Sequence, residues 1–600
     1  MILSLATLLI PVLIIIAIVM AVRSKSSPVP GMEGVSIARH VWLYLLTLIS
    51  LGILAAGIGQ LLTLLFDVTI RSSYISSIGN RPFDLERLAL GLAMTLIGGP
   101  LWFLFWNSAR RRIIQNPAES NSIIRKLYLS LVMLIAALTF LPTLSSVFQW
   151  LLSGARAESF SSSNLAIVIV TGIIWLFHWH ISKHEGFLFP AARTVQRWYI
   201  YILSGFGLVW LASGTIVFVT VAAESLPFWK DSFIGSSFWN DAAITAITQI
   251  VLGGATWYFH WFRMAKTDVE SALRQVYFYL LAITGGAVLT LVAATFFLYE
   301  TLYWIFGAAN VSAGEHFQFL CWTVPSILVG TAIWLYHRAL AQEEAGRAEE
   351  RRESARRVYI YLMNFLGLGT SIAGVVMLFG IVLEFIINAL STSLTPSPGW
   401  WRDQLAISLA LLLVGLPLLL YYWNTALKRA RNEALAEWRS LARRIFLYTT
   451  IGIAIIALTA GLVNIVYQVI SGALDSTSSV EILRDSRWSL QAILAAAPVL
   501  IYFWQVLKSD QRLGSETAIV QKEVTLLAFD PKRTLAQALQ KQLGYKIRLL
   551  HLEAGPNETA PQLTDEGVAL LSLDIQSSQS DKLMVVVTGE DTQILPYHTD

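Results

Sequence analysis

One unit of sequence recurs six times between residues 39 and 504: a basic residue with aromatics, a long apolar run, a polar loop, and a shorter apolar run ending in aromatics. The openings are Arg39-His-Val-Trp-Leu-Tyr44, Arg125-Lys-Leu-Tyr128, Arg197-Trp-Tyr-Ile-Tyr201, Arg274-Gln-Val-Tyr-Phe-Tyr279, Arg357-Val-Tyr-Ile-Tyr361 and Arg444-Ile-Phe-Leu-Tyr448. The closings are Trp102-Phe-Leu-Phe-Trp106, Trp175-Leu-Phe-His-Trp179, Trp257-Tyr-Phe-His-Trp261, Trp334-Leu-Tyr-His337, Leu419-Leu-Tyr-Tyr-Trp423 and Leu500-Ile-Tyr-Phe-Trp504. Each apolar run is long enough to cross about 30 Å of hydrocarbon as a helix. Such a chain can bury its backbone polar groups in lipid only as a helical bundle. The expected fold is therefore an all-α polytopic membrane protein built from six helical hairpins.

Composition agrees: 55% of residues are hydrophobic and 14% charged, and a net charge of +4 gives no footing for nucleic acid. The lone Cys321 sits in an apolar run, so no intrachain disulfide forms. Residues 1–22 are apolar, with no positive charge before them and Arg23 and Lys25 just after. That charge order predicts an uncleaved anchor with its N-terminus outside, the first of about thirteen spans. The loop before the first hairpin and those joining one hairpin to the next hold 26 Lys and Arg, against 8 in the loops within hairpins. The positive-inside rule then puts every joining loop, and the C-terminus, in the cytoplasm. All six hairpins enter from that side, so they are parallel repeats and not inverted ones. The expected organisation is an anchor (1–22), hairpins at 38–112, 123–184, 195–266, 273–342, 355–430 and 442–509, and a cytoplasmic α/β domain at 515–600.

In that last segment Glu523-Val-Thr-Leu-Leu-Ala-Phe529 alternates like a strand, and 531–543 has helical spacing stopped by Gly544. Lys546–Leu552 and parts of 568–576 and 582–597 read as further strands, giving the order β-α-β-β-β. The charge-striped linkers 338–357 and 424–444 read as helical extensions of the neighbouring spans. Pro100, Pro417 and Pro498 fall inside closing helices.

Two sets of residues are site candidates. His178, His260 and His337 occupy one position in repeats two to four, where Phe105, Tyr422 and Phe503 stand in the others; His180 lies nearby. Equivalent histidines at helix ends invite haem or metal ligation. Exchange with Phe and Tyr keeps a ring and discards ligation, so an interfacial aromatic belt is the better reading, and no cofactor or metal is expected. Gln149, Glu224, Glu300, Glu384 and Gln468 lie toward the outer ends of the opening helices of repeats two to six. Polar groups at membrane depth are functional candidates, for example as a shared ion-coordinating ring. Their nearness to outer water favours snorkelling or a hydrogen bond to a neighbouring helix.

The closing Trp-x-Phe-His-Trp box followed by basic residues, with the Arg-x-x-Tyr-x-Tyr opening, resembles an uncharacterised family of bacterial multi-span membrane proteins, a domain of unknown function that occurs in tandem. The resemblance covers residues 36–508 and implies an all-helical membrane fold. Repeats five and six depart from it by lacking the first Trp and the His, and residues 515–600 lie outside it. It implies no activity and no site residues. With no catalytic motif, the chain is expected to be a non-enzymatic scaffold, sensor or accessory subunit of the bacterial inner membrane. Its surroundings would be the lipid bilayer and a cytoplasmic protein partner held by residues 515–600. A transporter or channel for a small solute or ion is the alternative, and a haem carrier or membrane enzyme the third choice.

Overall fold

The computed structural model describes residues 34–597 apart from 71–80, 157–158, 187–189, 227–237, 269–270, 346–348, 391–398, 433–436, 438–439, 517–521, 529, 531–533, 552–564, 579, 581 and 589–590. The expected anchor at 1–22 lies outside the described residues. Among those described, twelve helices are long and apolar enough to cross a membrane. They are α1 Gly34–Ile70, α2 Arg81–Gln115, α3 Ile123–Leu152, α4 Ser162–Glu185, α5 Pro190–Glu224, α6 Asp241–Thr267, α7 Ala272–Ile305, α8 Leu320–Ala345, α9 Glu349–Leu390, α10 Trp401–Asn432, α11 Leu441–Leu474 and α12 Arg487–Glu516. The chain divides into two compact units, residues 1–426 with 456–496, and residues 427–455 with 497–600.

Local chemistry sets several helix starts. The side chains of Ser122, Ser161, Asn240 and Ser271 accept from backbone N–H groups three residues on, at the heads of α3, α4, α6 and α7. Pro100, Pro417 and Pro498 are inside α2, α10 and α12, as expected, and Pro142 and Pro325 are inside α3 and α8. The charged linkers continue the spans as helix to Ala345 and Asn432.

In the first unit α1 packs on α2, α3 on α4, α5 on α6 and α7 on α8. The α9–α10 contact is seen in Ser408, whose hydroxyl donates to the Gly374 carbonyl at 2.9 Å. That of α11 with α12 is seen in Ser489, 2.9 Å from Asn464 Oδ1. Small residues bring the backbones together. A Cβ on Gly286 would sit 2.8 Å from the Trp334 nitrogen, and one on Gly367 would sit 2.6 Å from the Leu419 nitrogen. The outward faces are as apolar as the inner ones: Leu96 is 71% and Ile456 70% exposed. Apolar side chains all round a helix suit lipid and not water.

The second unit holds a four-stranded sheet in the order β2-β1-β3-β4, from β1 Glu523–Ala528, β2 Arg548–His551, β3 Lys582–Thr588 and β4 Asp591–Pro596. β1 runs parallel to β2 and β3, and β3 antiparallel to β4. Two helices, α13 Thr534–Leu543 and α14 Asp565–Ser577, cover one face. Val524, Leu526, Ala528, Leu583, Val585 and Val587 point into that core, beside Leu539 and Leu571. The order is thus β-α-β-α-β-β, and the expected strand within 568–576 is corrected to helix. Val568, Leu571 and Ile575 are buried at a spacing of three and four, the helical period, in a run short enough to mimic a strand. The expected strand at 582–597 is the β3–β4 hairpin.

Candidate functional site

The aligned histidines do not face a common cavity. Each faces a ring on the opening helix of its own hairpin. His178 Nε2 lies 3.2 Å from the Tyr128 hydroxyl and His260 Nε2 3.4 Å from that of Tyr199, while the His337 ring packs 5.8 Å from Tyr277, centroid to centroid. In hairpin five the pair becomes Tyr359 and Tyr422, with hydroxyls 2.5 Å apart. In hairpin six, within the second unit, it is Phe446 against Phe503, with centroids 5.5 Å apart. The members therefore change together, from Tyr–His to Tyr–Tyr to Phe–Phe.

The tautomer follows from the backbone. His178, His260 and His337 each place Nδ1 at 2.8–2.9 Å from the carbonyl four residues earlier (Ile174, Thr256, Ile333). A carbonyl only accepts, so Nδ1 carries the proton and Nε2 is left as an acceptor. In hairpins two and three the tyrosine O–H donates to it. Tyr199 also accepts from Trp175 Nε1 at 3.0 Å, and Tyr277 from Trp257 Nε1 at 3.1 Å, so each tyrosine joins its hairpin to the preceding one. His337 Nε2 is buried with no hydrogen-bond partner among the described residues.

Beside the ring pairs of hairpins two, three, four and six lies an ion pair that the sequence did not single out. Arg125 holds Glu185 through Nε at 2.9 and 3.0 Å, and Lys126 Nζ adds a contact of 3.0 Å. Arg197 meets Asp268 at 2.7 Å, with the Tyr201 hydroxyl donating to the same carboxylate at 2.8 Å. Arg274 grips Glu344 at 2.7 and 2.5 Å. In the second unit Arg443 grips Asp510 at 2.6 and 3.0 Å. Every pair ties the start of an opening helix to the end of its own closing helix. Arg125 also lies 5.3 Å over Trp106, and Arg274 4.5 Å over Trp261, each tryptophan closing the hairpin before. In hairpin one His40 bridges to Glu119 instead.

A signal for these clamps was present. The acid stands seven residues after the closing ring at Glu185, Glu344 and Asp510, and eight after His260 at Asp268. The odd spacing coincides with a π-helical turn, Tyr258–Met264, which takes up one extra residue. A second π turn, Tyr277–Ile283, does the same on α7: the close-packed glycine falls eight residues after Tyr199 and Tyr359 (Gly207, Gly367) but nine after Tyr277 (Gly286).

The five polar candidates have separate surroundings, and among the described residues no hydrogen bond or ion pair joins any two of them. Gln149 donates to Ser145 at 3.0 Å. Glu224 is half-buried at the end of α5. Glu300 is 3.7 Å from His316, and Glu384 accepts from Arg487 at 2.8 Å. Gln468 is half-buried on α11. Gln149 lines a cavity of about 320 Å³ with Ser146, Trp150, Asn164, Asp241 and Thr245. Among the described residues no group of three or more His, Cys, Asp or Glu is placed to hold a metal ion.

Three stretches, residues 40–164, 197–326 and 357–502, match the family model Domain of unknown function (DUF5671). Each match runs from the opening helix of one hairpin into the closing helix of the next, so the six hairpins group as three pairs. No curated protein and no solved structure matches the chain.

Proposed function

The chain belongs to the DUF5671 family, and we propose that it is a multi-pass membrane scaffold or accessory subunit that presents a soluble domain to a protein partner. Its hairpins insert in parallel with their basic ends in the cytoplasm of a bacterial cell, and the N-terminus lies outside. The observation that carries the reading is the repeated clamp. Four hairpins are closed at the same end by a buried or half-buried Arg–carboxylate pair, and two of those arginines stack on the preceding hairpin. Alternating access needs one helical bundle to rock against another. Ion pairs at the hairpin ends and stacking between hairpins oppose that motion and favour a rigid platform.

The partner surface is the helix-free face of the sheet. Leu527, Leu550, Met584, Val586 and Leu595 lie on it, in register across all four strands, and Leu550 and Leu595 are exposed. The test uses the full-length chain. Reconstituted in vesicles it is expected to leave ion and solute permeability unchanged, and Leu550→Asp with Leu595→Asp is expected to release the proteins that co-purify with it. Flux that tracks the protein would overturn the reading. The cavity beside Gln149 supports a second reading, transport of a small polar solute. Solute uptake lost on Gln149→Ala and Asn164→Ala would select it.

A further inference from the structure

Hairpin five breaks the clamp pattern. Its closing ring is Tyr422, and seven residues later, where the clamped hairpins two, four and six carry Glu185, Glu344 and Asp510, the sequence has Arg429. The acid that meets the opening arginine elsewhere has been exchanged for a base. The ring pair differs as well. A Tyr–His pair uses its donors internally: Nδ1–H goes to a carbonyl and the tyrosine O–H goes to Nε2. In the Tyr359–Tyr422 pair one hydroxyl donates to the other at 2.5 Å, and the acceptor's own proton is left over.

The ring pair adjoins a cavity of about 280 Å³, lined among others by Tyr279, Arg338, Gln342, Arg356, Tyr359 and Tyr422. Its volume is roughly nine times the 30 Å³ share of one water in the liquid. Arg338 makes no ion pair among the described residues; its guanidinium lies 5.2 Å over the Tyr359 ring, and the carboxylate of Glu344 on the same helix is taken by Arg274. Cationic forks, phenol hydroxyls and an amide around a cavity form a donor-rich surface suited to a tetrahedral oxyanion.

We propose that this cavity binds a phosphoryl group, with Arg338 as its main charged donor and Arg356 and the tyrosine hydroxyls completing the shell. The group is the headgroup phosphate of an anionic lipid or a soluble phosphate, since the donors recognise the same atoms in both. Basic pockets between membrane helices are established holders of anionic headgroups in general.

The experiment compares full-length wild type with Arg338→Gln, Gln342→Glu and a distant control, Arg110→Gln. Retention of phosphatidylglycerol against phosphatidylcholine is read by native mass spectrometry, and binding of inorganic phosphate by calorimetry. Wild type and the control are expected to bind at least one of the two phosphate probes. Arg338→Gln should weaken that binding about tenfold, the loss of one charge-assisted hydrogen bond. Gln342→Glu, at an exposed position, should weaken it by electrostatic repulsion and serves if Arg338→Gln fails to fold. Lipid binding alone identifies the headgroup, and phosphate binding identifies a soluble anion. Equal retention of both lipids with no phosphate binding, or binding unchanged in the folded variants, would overturn the proposal.

Discussion

Arg274 grips Glu344 across hairpin four with both carboxylate oxygens engaged, Nε to Oε2 at 2.7 Å and Nη2 to Oε1 at 2.5 Å, while its Nη1 donates to the Ala265 carbonyl at 2.7 Å. Arg274 is 5% exposed, and its guanidinium is stacked on Trp261 and Phe278. Removing only the acid strands a buried cation, a change that costs about 3–5 kcal/mol. Glu344→Gln is therefore expected to lower the unfolding midpoint of the detergent-solubilised chain sharply. The double variant with Arg274→Gln should recover part of the loss, because no unpaired charge remains. A single variant as stable as wild type would show the clamp to be decoration.

The three histidines are expected to differ in cost despite their equivalent positions. Replacing any of them by Phe removes the Nδ1 bond to the backbone, a shared loss. His178→Phe also leaves the buried Tyr128 hydroxyl without its acceptor, worth about 1–3 kcal/mol more. His337 has an Nε2 with no partner among the described residues, so His337→Phe discards a buried unsatisfied atom and should be the milder change. Thermal melts of the two variants side by side check the order. A haem or metal ligand would make all three losses visible in absorption or metal content.

Neighbouring glycines on α7 make opposite forecasts. A Cβ at Gly286 would press to 2.8 Å on the Trp334 nitrogen and 2.9 Å on the Gly330 carbonyl, backbone atoms that cannot turn aside. Gly286→Ala is expected to cost about 1–3 kcal/mol through forced separation of α7 and α8. At Gly285 nothing lies within 4 Å. There Gly285→Ala should be neutral, or stabilising by up to about 1 kcal/mol, from the better helix propensity. Equal effects would mean the π turn before them does not hold the register described.

Much of this was legible in residue order, and the exceptions have physical causes. Apolar length announced the spans, and the exchange of His178 with Tyr422 and Phe503 pointed to a ring at that position. The clamps were hidden because each joins residues 60 to 71 positions apart. From sequence, Arg274 reads as the basic opening of a repeat and Glu344 as part of a charge-striped helical extension, and only the closing of the hairpin reveals that they meet. The two π turns further blurred the repeat by shifting its period by one residue. The cavity at Arg338 is less legible still, since its lining residues come from three stretches of sequence, 279–283, 338–342 and 356–425.

The corrected segment 565–577 offers a direct test of helix against strand. A strand would put Leu571 and Leu573 on one face, two residues apart. In α14 Leu571 is 4% exposed and in the core with Leu539 and Val585, whereas Leu573 is 59% exposed. Truncating Leu571 to Ala leaves a cavity worth about 2–5 kcal/mol. That is a large share of the roughly 5–15 kcal/mol that holds a typical domain together. Leu571→Ala in the full-length chain should therefore speed proteolysis after residue 516 several-fold, because cleavage follows the population of the open domain. Leu573→Ala should leave that rate within a factor of about two, as surface truncations usually shift stability by less than about 0.5 kcal/mol. Comparable acceleration by both variants would return the segment to a strand and with it remove the second covering helix from the sheet.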